Sequence, residues 1–272
     1  MLAVRDVEKG QRTRDALMKE TSSKGQIHVM SCDLSDLQSV QAFAGAFNEK
    51  FEKCDILVNN AGISNVQHGL TKQGVEIQFG TNHLGHFLLT RLLLDRIEKA
   101  RGRIVIVASR AHENYTPHHQ SFTVPEVFQN TSPHTHTHTL YARSKFANVL
   151  FCKRLDRLLR ENSQHVVRNG VENIDGKQRA KAVCLHPGLV ASNIGRNNVW
   201  MGWILATFGR VFGKTPIFGA QTTLHCCLVE ELEGGAYYAD CKVKKNHEMA
   251  DLEWLQDELW ETSEKLCKNY LK

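Results

Sequence analysis

Short apolar runs alternate with longer stretches of mixed polarity from one end of the chain to the other. Helical spacing of apolar positions predicts helices over 7–23, 35–51, 74–100, 139–164, 216–231 and 251–268. Ser35 or Asp36 is placed to cap the second of these, and Leu84, Leu88, Leu92 and Leu93 fall near one face of the third. Between the helices lie four runs of strand length: IHVMSCDL (27–34), DILVNN (55–60), RIVIVAS (103–109) and KAVCLHPG (181–188), the last stopped by Pro187 and Gly188. Strands that alternate with helices of ten or more residues imply parallel βαβ units with helices on both faces of one sheet. Ligands of such sheets bind at the carboxyl ends of the strands. The positions to inspect for chemistry therefore lie just after Asn60, Ser109 and His186.

Composition narrows the class. The 272 residues are 42% hydrophobic and 23% charged, values of a globular chain and not of a disordered or disulfide-scaffold one. A net charge of +5 with no dense basic block gives no footing for nucleic-acid binding. No apolar run reaches the roughly 18 residues of a spanning helix. The first residues, MLAVRDVEKGQ, carry charge at once and lack an apolar signal core, so a cytoplasmic location is expected. Eight cysteines occur without a C-x-x-C pair and mostly within apolar stretches, which reads as buried reduced thiols. His134, His136 and His138 alternate in TSPHTHTHT, but no carboxylate or cysteine accompanies them, so they read as a solvated loop and no metal is expected.

The chemistry-bearing residues fall where the strand-end rule points. Tyr141 and Lys145 are spaced i, i+4 in YARSK and so share a helix face. A nearby ammonium favours the phenolate and lowers a phenol from its usual pKa of about 10, making it a proton donor or acceptor near neutrality. Ser109 closes the strand RIVIVAS, Asn59-Asn60-Ala61-Gly62 closes DILV, and Asn82 lies in the helical TNHLGHF. Small residues after a strand let a cofactor approach the backbone. Each feature alone has an ordinary reading: a surface pair, a strand-end cap, a turn, a polar helix residue. Their joint occurrence in this order along a βαβ chain is what carries weight.

With those residues in place the sequence resembles the short-chain dehydrogenase/reductase superfamily, in its retinol-dehydrogenase-like NADP branch. The motifs are CDLSDL (32–37), ILVNNAG (56–62), NHLGHFLLT (82–90), RIVIVASRAH (103–112), YARSKFANVLF (141–151), HPGLVASNI (186–194), GAQTTLHCCL (219–228) and LWETSEKL (259–266). The resemblance implies a Rossmann-like, doubly wound, mostly parallel α/β sheet in a single domain over 1–272. It implies that Tyr141 is the general acid in carbonyl reduction and the base in the reverse. Lys145 lowers its pKa and bonds the nicotinamide ribose, Ser109 bonds the substrate oxygen, and Asn82 holds the helix and the water that relay protons to Lys145. Asp33 and Leu34 match the adenine contact, Asn59, Asn60, Ala61 and Gly62 the adenine-ribose wall, and Pro187, Gly188 and Ser192 the loop beside the nicotinamide, Ser192 standing where the family usually has Thr. Arg5 matches an arginine suited to a 2′-phosphate, so NADP (NADPH) is favoured. The implied substrate is an apolar alcohol or carbonyl of retinoid, steroid or lipid aldehyde type, and the implied assembly is a homodimer through the helices of 74–100 and 139–164.

The pattern breaks at the start. Family members open with a strand, a glycine-rich turn of the form TGxxxGIG, and a helix, and the turn brings backbone to the pyrophosphate. Here Met1 falls where the second strand should be ending, and Gly10 and Gly25 are isolated. Strands 27–34 and 55–60 are expected to lose the strand that bridges them. Each buried orphan backbone group costs roughly 1–3 kcal/mol against a typical reserve of about 5–15 kcal/mol. The expectation is a truncated relative, and the alternative function is a cofactor-deficient, non-enzymatic chain acting through protein contacts. The intervals Ser109–Tyr141 and 162–180 read as loop insertions that remove no motif residue. NNVWMGWILATFGRVFG (197–213) has three open readings: a lid over an apolar substrate, a peripheral membrane contact, or core packing.

Overall fold

The computed structural model describes residues 1–21, 25–64, 66–117, 122, 135–168, 179–188, 190 and 215–271. Strand β1 (Leu2–Val4) leads into α1 (Val7–Thr21), followed by β2 (Val29–Ser31), α2 (Leu37–Lys50) and β3 (Ile56–Asn59). A short helix α3 (Ile77–Phe79) runs through a π turn (Gly80–Leu84) into α4 (Gly85–Ala100) and β4 (Arg103–Val107). Then come α5 (Thr137–Arg168), β5 (Lys181–His186), α6 (Pro216–Leu228), β6 (Tyr237–Ala239), β7 (Lys242–Lys244) and α7 (Glu253–Cys267).

β3, β4, β5 and β6 pair in parallel in that order and β7 closes the edge antiparallel, while β1 and β2 form a separate parallel pair. This is an α/β, Rossmann-like arrangement. Alternation along β4 and β5 explains why helices cover both faces. Ile104, Ile106, Ala182 and Cys184 join the cluster under α4 and α5, and Val105, Val107, Val183 and Leu185 join the one containing Cys226 of α6. Burial on both faces is why residues 104–107 read as an unbroken apolar run. On α2, Leu37, Val40, Phe43, Ala44 and Phe47 are the buried stripe, and Asp36 is its N-cap, accepting from the Gln38 N–H.

β2 and β3 fall in different sheets, as the missing strand led us to expect. Leu2 donates to His28 O and Cys32 donates to Val4 O, so the backbone groups of Ala3 face away from β2. Arg103 donates to Asp55 O and pairs opposite Ile56, so residues 55, 57 and 59 turn towards β4 and the groups of Ile56 and Val58 turn away. No described strand meets that edge, and Ile56 and Val58 are 40% and 38% exposed. The apolar run of 27–34 shortens to three residues because its partner β1 supplies only three.

Four elements differ from the sequence expectation. The helix predicted over 74–100 is interrupted by the π turn, which inserts one extra residue per turn at Gly80–Leu84. Strands β6 and β7 were not anticipated, and α5 runs beyond the predicted 139–164. No helix among the described residues is long and apolar enough to cross a membrane. All eight cysteines are free, and six of them are buried. Among the described residues no group of three or more His, Cys, Asp or Glu is arranged to hold a metal; His134 lies outside those residues.

Candidate active site

The polar residues at the carboxyl ends of β3 and β4 meet on the buried side of α5. Its inward face carries Ser144, Lys145 and Asn148 among apolar neighbours, all nearly inaccessible. Lys145 Nζ donates to Val107 O at 2.9 Å, and Asn148 Nδ2 lies 3.4 Å from the same oxygen. One turn earlier, Tyr141 is half-buried and close enough to the Ser109 side chain to feel its polarity. The Lys145 ammonium is 5.8 Å from the centre of the Tyr141 ring.

Ser109 ends the β4 segment in extended conformation and caps a short 3-10 turn, Arg110–Asn114, its Oγ accepting from the Ala111 N–H at 3.2 Å. The π turn aims Asn82 inward. Its Oδ1 accepts from the Ile63 N–H at 2.8 Å, and its Nδ2 donates to Ile63 O and to Ser144 Oγ, each at 2.9 Å. Asn82 thus pins the chain just past Asn59-Asn60-Ala61-Gly62. A Cβ on Gly62 would stand 3.2 Å from Asn82 Oδ1 and 3.4 Å from Lys145 Nζ, so the bare glycine keeps the space beside the lysine open. Asn59 is buried and donates to Thr90 Oγ1 at 2.9 Å, with its Oδ1 unpartnered, while Asn60 and Ala61 are exposed.

At the end of β5, Gly188 adopts φ +85°, a conformation that favours glycine, and its N–H donates to His186 Nδ1 at 2.9 Å. Pro187 lies between them, whereas Ser192 and the 197–213 segment lie outside the described residues. On the two-stranded sheet, Arg5 is exposed at the end of β1. Asp33 Oδ1 accepts from the Ser35 N–H and Oγ at 2.9 and 2.7 Å, and Leu34 packs its carbonyl against Gly85, where a Cβ would come within 2.4 Å. Gly62, Asn82, Ser109, Tyr141 and Lys145 are therefore gathered at the carboxyl ends of β3 and β4. Arg5, Asp33 and Leu34 form a second group on β1 and β2.

Electrostatics in the cluster are governed by burial. Desolvation brings the Lys145 ammonium down to about 8. Desolvation also pushes the Tyr141 phenol up, and the Ser109 side chain beside it pulls it back in part. A lowered phenol was expected from Lys145, but here burial is the larger effect. His86 Nδ1 lies 3.0 Å from Asn82 O, and burial takes His86 down to about 4. Two contributors escaped sequence reasoning. Ser144 holds Asn82, and His112 holds the carbonyl of Ser109 with its Nδ1 at 2.7 Å. Both sit inside motifs already singled out, next to Lys145 and three residues after Ser109.

A parallel α/β sheet with serine, tyrosine and lysine gathered at its strand ends has the form of a dehydrogenase. A family model described as short chain dehydrogenase matches residues 1–123. Retinol dehydrogenase 11 of Homo sapiens is 37% identical over 265 residues, covering 96% of this chain and 76% of the relative. Retinol dehydrogenase 12 of Mus musculus is 36% identical over 244 residues, 89% and 69% respectively. The crystal structure of an uncharacterized protein from Mycobacterium Paratuberculosis superposes with a TM-score of 0.70 at 29% identity, over 98% of this chain and 82% of that one. The chain belongs to the short-chain dehydrogenase family of oxidoreductases, among its retinol-dehydrogenase-like members.

That family works with a nicotinamide dinucleotide. A bare glycine backbone at Gly62, with Lys145 and Tyr141 grouped beside it, is a donor set that suits the hydroxyls of such a group. Buried Asn59 Oδ1, at the end of β3, has no partner among the described residues.

Proposed function

We propose that the chain interconverts an apolar alcohol and the corresponding carbonyl in an NADP-dependent reaction, with Tyr141 as acid and base. The observation that carries this reading is Tyr141 standing over the buried Lys145, 5.8 Å from its ammonium to the ring centre, with Ser109 beside it. The bound dinucleotide supplies the hydride in reduction and takes it in oxidation. Ser109 orients the substrate oxygen against the Tyr141 hydroxyl, which donates its proton during reduction and accepts one in the reverse direction. Lys145, held by Val107 O, stands ready to stabilise the phenolate that donation leaves. Asn82 fixes the backbone after β3 and, through Ser144, the turn of α5 that carries Tyr141; Ser144 Oγ in turn donates to Tyr141 O at 2.7 Å.

Asn59, Asn60, Ala61, Gly62, Tyr141, Lys145, Pro187, Gly188 and Ser192 serve the nicotinamide and ribose side. Arg5, Asp33 and Leu34 serve the adenosine side. The exposed Arg5 guanidinium favours a 2′-phosphate and so NADP over NAD. The names of the retinol dehydrogenase relatives favour a retinoid-like or other lipid substrate.

A second reading draws on the separation of the two sheets: a cofactor-deficient chain that acts through protein contacts. Binding decides between them. The enzyme reading predicts saturable NADPH binding to the purified chain in the micromolar range, weaker NADH binding, and loss of that preference in Arg5→Ala. A cooperatively folded chain that binds neither dinucleotide would leave only the second reading.

A further inference from the structure

The loop carrying Ser109 is held by a side chain that the proposed chemistry does not use. His112 is fully buried. Its Nδ1 lies 2.7 Å from Ser109 O, and its own N–H donates to the same oxygen at 3.1 Å. A carbonyl only accepts, so Nδ1 carries the proton and Nε2 is left with its lone pair. Nε2 meets a donor, the His247 N–H at 3.4 Å. Both ring nitrogens are therefore matched by a single neutral tautomer. Burial also favours the uncharged ring, with the Ser109 carbonyl and then Glu113 opposing that trend and His247 and His186 reinforcing it.

The ring is wedged as well as bonded. It meets the Tyr237 ring edge-on at 4.8 Å between centres, and Tyr237 stacks on His186 at 5.9 Å. His186 accepts the Gly188 N–H. Three rings thus run from the loop after β4, across β6, to the last residue of β5. Tyr237 is 2% exposed, and its hydroxyl has no partner among the described residues, so packing and not hydrogen bonding keeps it there. Ser109 Oγ accepts from the Ala111 N–H and stands near the Tyr141 hydroxyl, so the course of this loop sets how the two side chains meet.

We propose that His112 is the positioning residue for Ser109, its Nδ1–H···O=C bond fixing the loop so that Ser109 Oγ meets the Tyr141 hydroxyl. The inference rests on Ser109 and Tyr141 being the reacting pair of the proposed function. It implies that His112 acts on Tyr141 only through Ser109. Asn at this position can place its amide N–H where Nδ1 stands, whereas Phe keeps the ring packing against Tyr237 and loses the donor.

The test needs neither cofactor nor turnover, so its failure is distinct from failure of the enzyme reading. The full chain is labelled with 13Cζ-tyrosine, and the Tyr141 titration is followed by NMR in wild type and in Ser109→Ala, His112→Phe and His112→Asn. Ser109→Ala and His112→Phe should each move the Tyr141 midpoint upward by about half to one pH unit, the worth of one hydrogen bond. His112→Asn should stay near wild type, and the Ser109→Ala/His112→Phe double variant should move no further than Ser109→Ala alone. A His112→Phe midpoint equal to wild type beside a shifted Ser109→Ala overturns the proposal. So does a His112→Asn midpoint that matches Ser109→Ala, a result that also decides the matter if the Phe variant does not fold.

Discussion

Asp156 anchors α5 to the strands that carry the site, and its removal should cost more than any other single truncation there. The carboxylate is fully buried. Oδ1 accepts from Arg179 Nη1 at 2.9 Å and from the Ala182 N–H at 3.2 Å, and Oδ2 accepts from Arg179 Nη2 at 2.7 Å and Arg160 Nη2 at 3.0 Å. The Gly234 backbone closes over it, so that a Cβ there would stand 2.3 Å from Oδ1. Arg160 has a 56% exposed side chain, so in Asp156→Ala it regains water and contributes little to the loss. Arg179, 12% exposed, and the buried Ala182 N–H do not. Stripping a buried ion pair of one partner costs roughly 3–5 kcal/mol. A value of about 4 kcal/mol is a large part of a reserve of about 5–15 kcal/mol, and it lowers Tm by roughly 8–16 °C for a chain of this size. Urea unfolding followed by circular dichroism reads the change as a lower midpoint at unchanged slope. Asp156→Leu combined with Arg179→Met should recover part of the loss, because no charge is then stranded. A loss below about 1 kcal/mol in Asp156→Ala would refute the reasoning, since it would mean that water already reaches the cluster.

Three further outcomes follow from the same geometry. Lys145 is held to about 8 in the fold against an ordinary 10.5. The unfolded chain therefore binds the extra proton between these values, and stability should rise with pH through that window by roughly 3 kcal/mol relative to Lys145→Met. A wild-type-minus-variant difference that is flat from pH 8 to 10.5 contradicts the assigned burial. His83 and His86 are buried and lowered to about 3 and about 4, so unfolded histidines take protons first as pH falls below about 6.5. The midpoint of urea unfolding should drop between pH 6.5 and 4, with a shallower drop in His86→Phe. Glu76 caps α3 through bonds to the Gln78 and Phe79 N–H groups, both 2.8 Å, and pairs with buried Arg143 at 3.7 Å. Glu76→Ala should cost roughly 0.5–2 kcal/mol from the lost cap, with the broken Arg143 pair adding to it, and Glu76→Gln less, by the same denaturation assay.

What the sequence made legible were the features with a period or a run behind them. Residues 104–107 of β4 are buried on both faces and show as four consecutive apolar positions, and Asp36 caps α2 where the pattern placed the cap. The strands β1, β6 and β7 are three residues each, too short for alternation to register. The β6–β7 hairpin turns through Asp240 and Cys241 at φ +50° and +59°, a pair without the Asn-Gly signature of such turns. The π turn is invisible for a similar reason, since GTNHL keeps helical composition while the backbone shifts by one residue and swings Asn82 inward. The residues joined at the site were legible as strand-end and i, i+4 positions. The balance of forces on them was not, because Lys145 donates to Val107 O and burial, more than charge, sets the Tyr141 phenol. His112 was overlooked because nothing in its spacing distinguishes a ring that reaches back to a carbonyl three residues earlier from one exposed on a loop.

The central claim is that Tyr141 moves the proton in an NADPH-linked carbonyl reduction. The direct measurement is NADPH oxidation by the purified chain with an apolar aldehyde such as retinal, run in parallel with Tyr141→Phe and with NADPH binding measured separately by nicotinamide fluorescence. The account predicts turnover in the wild-type chain, loss of at least about 100-fold in Tyr141→Phe, and NADPH binding retained in both. Turnover that survives in Tyr141→Phe would contradict the assigned role, and a folded chain that binds NADPH yet reduces no apolar carbonyl would contradict the reaction itself.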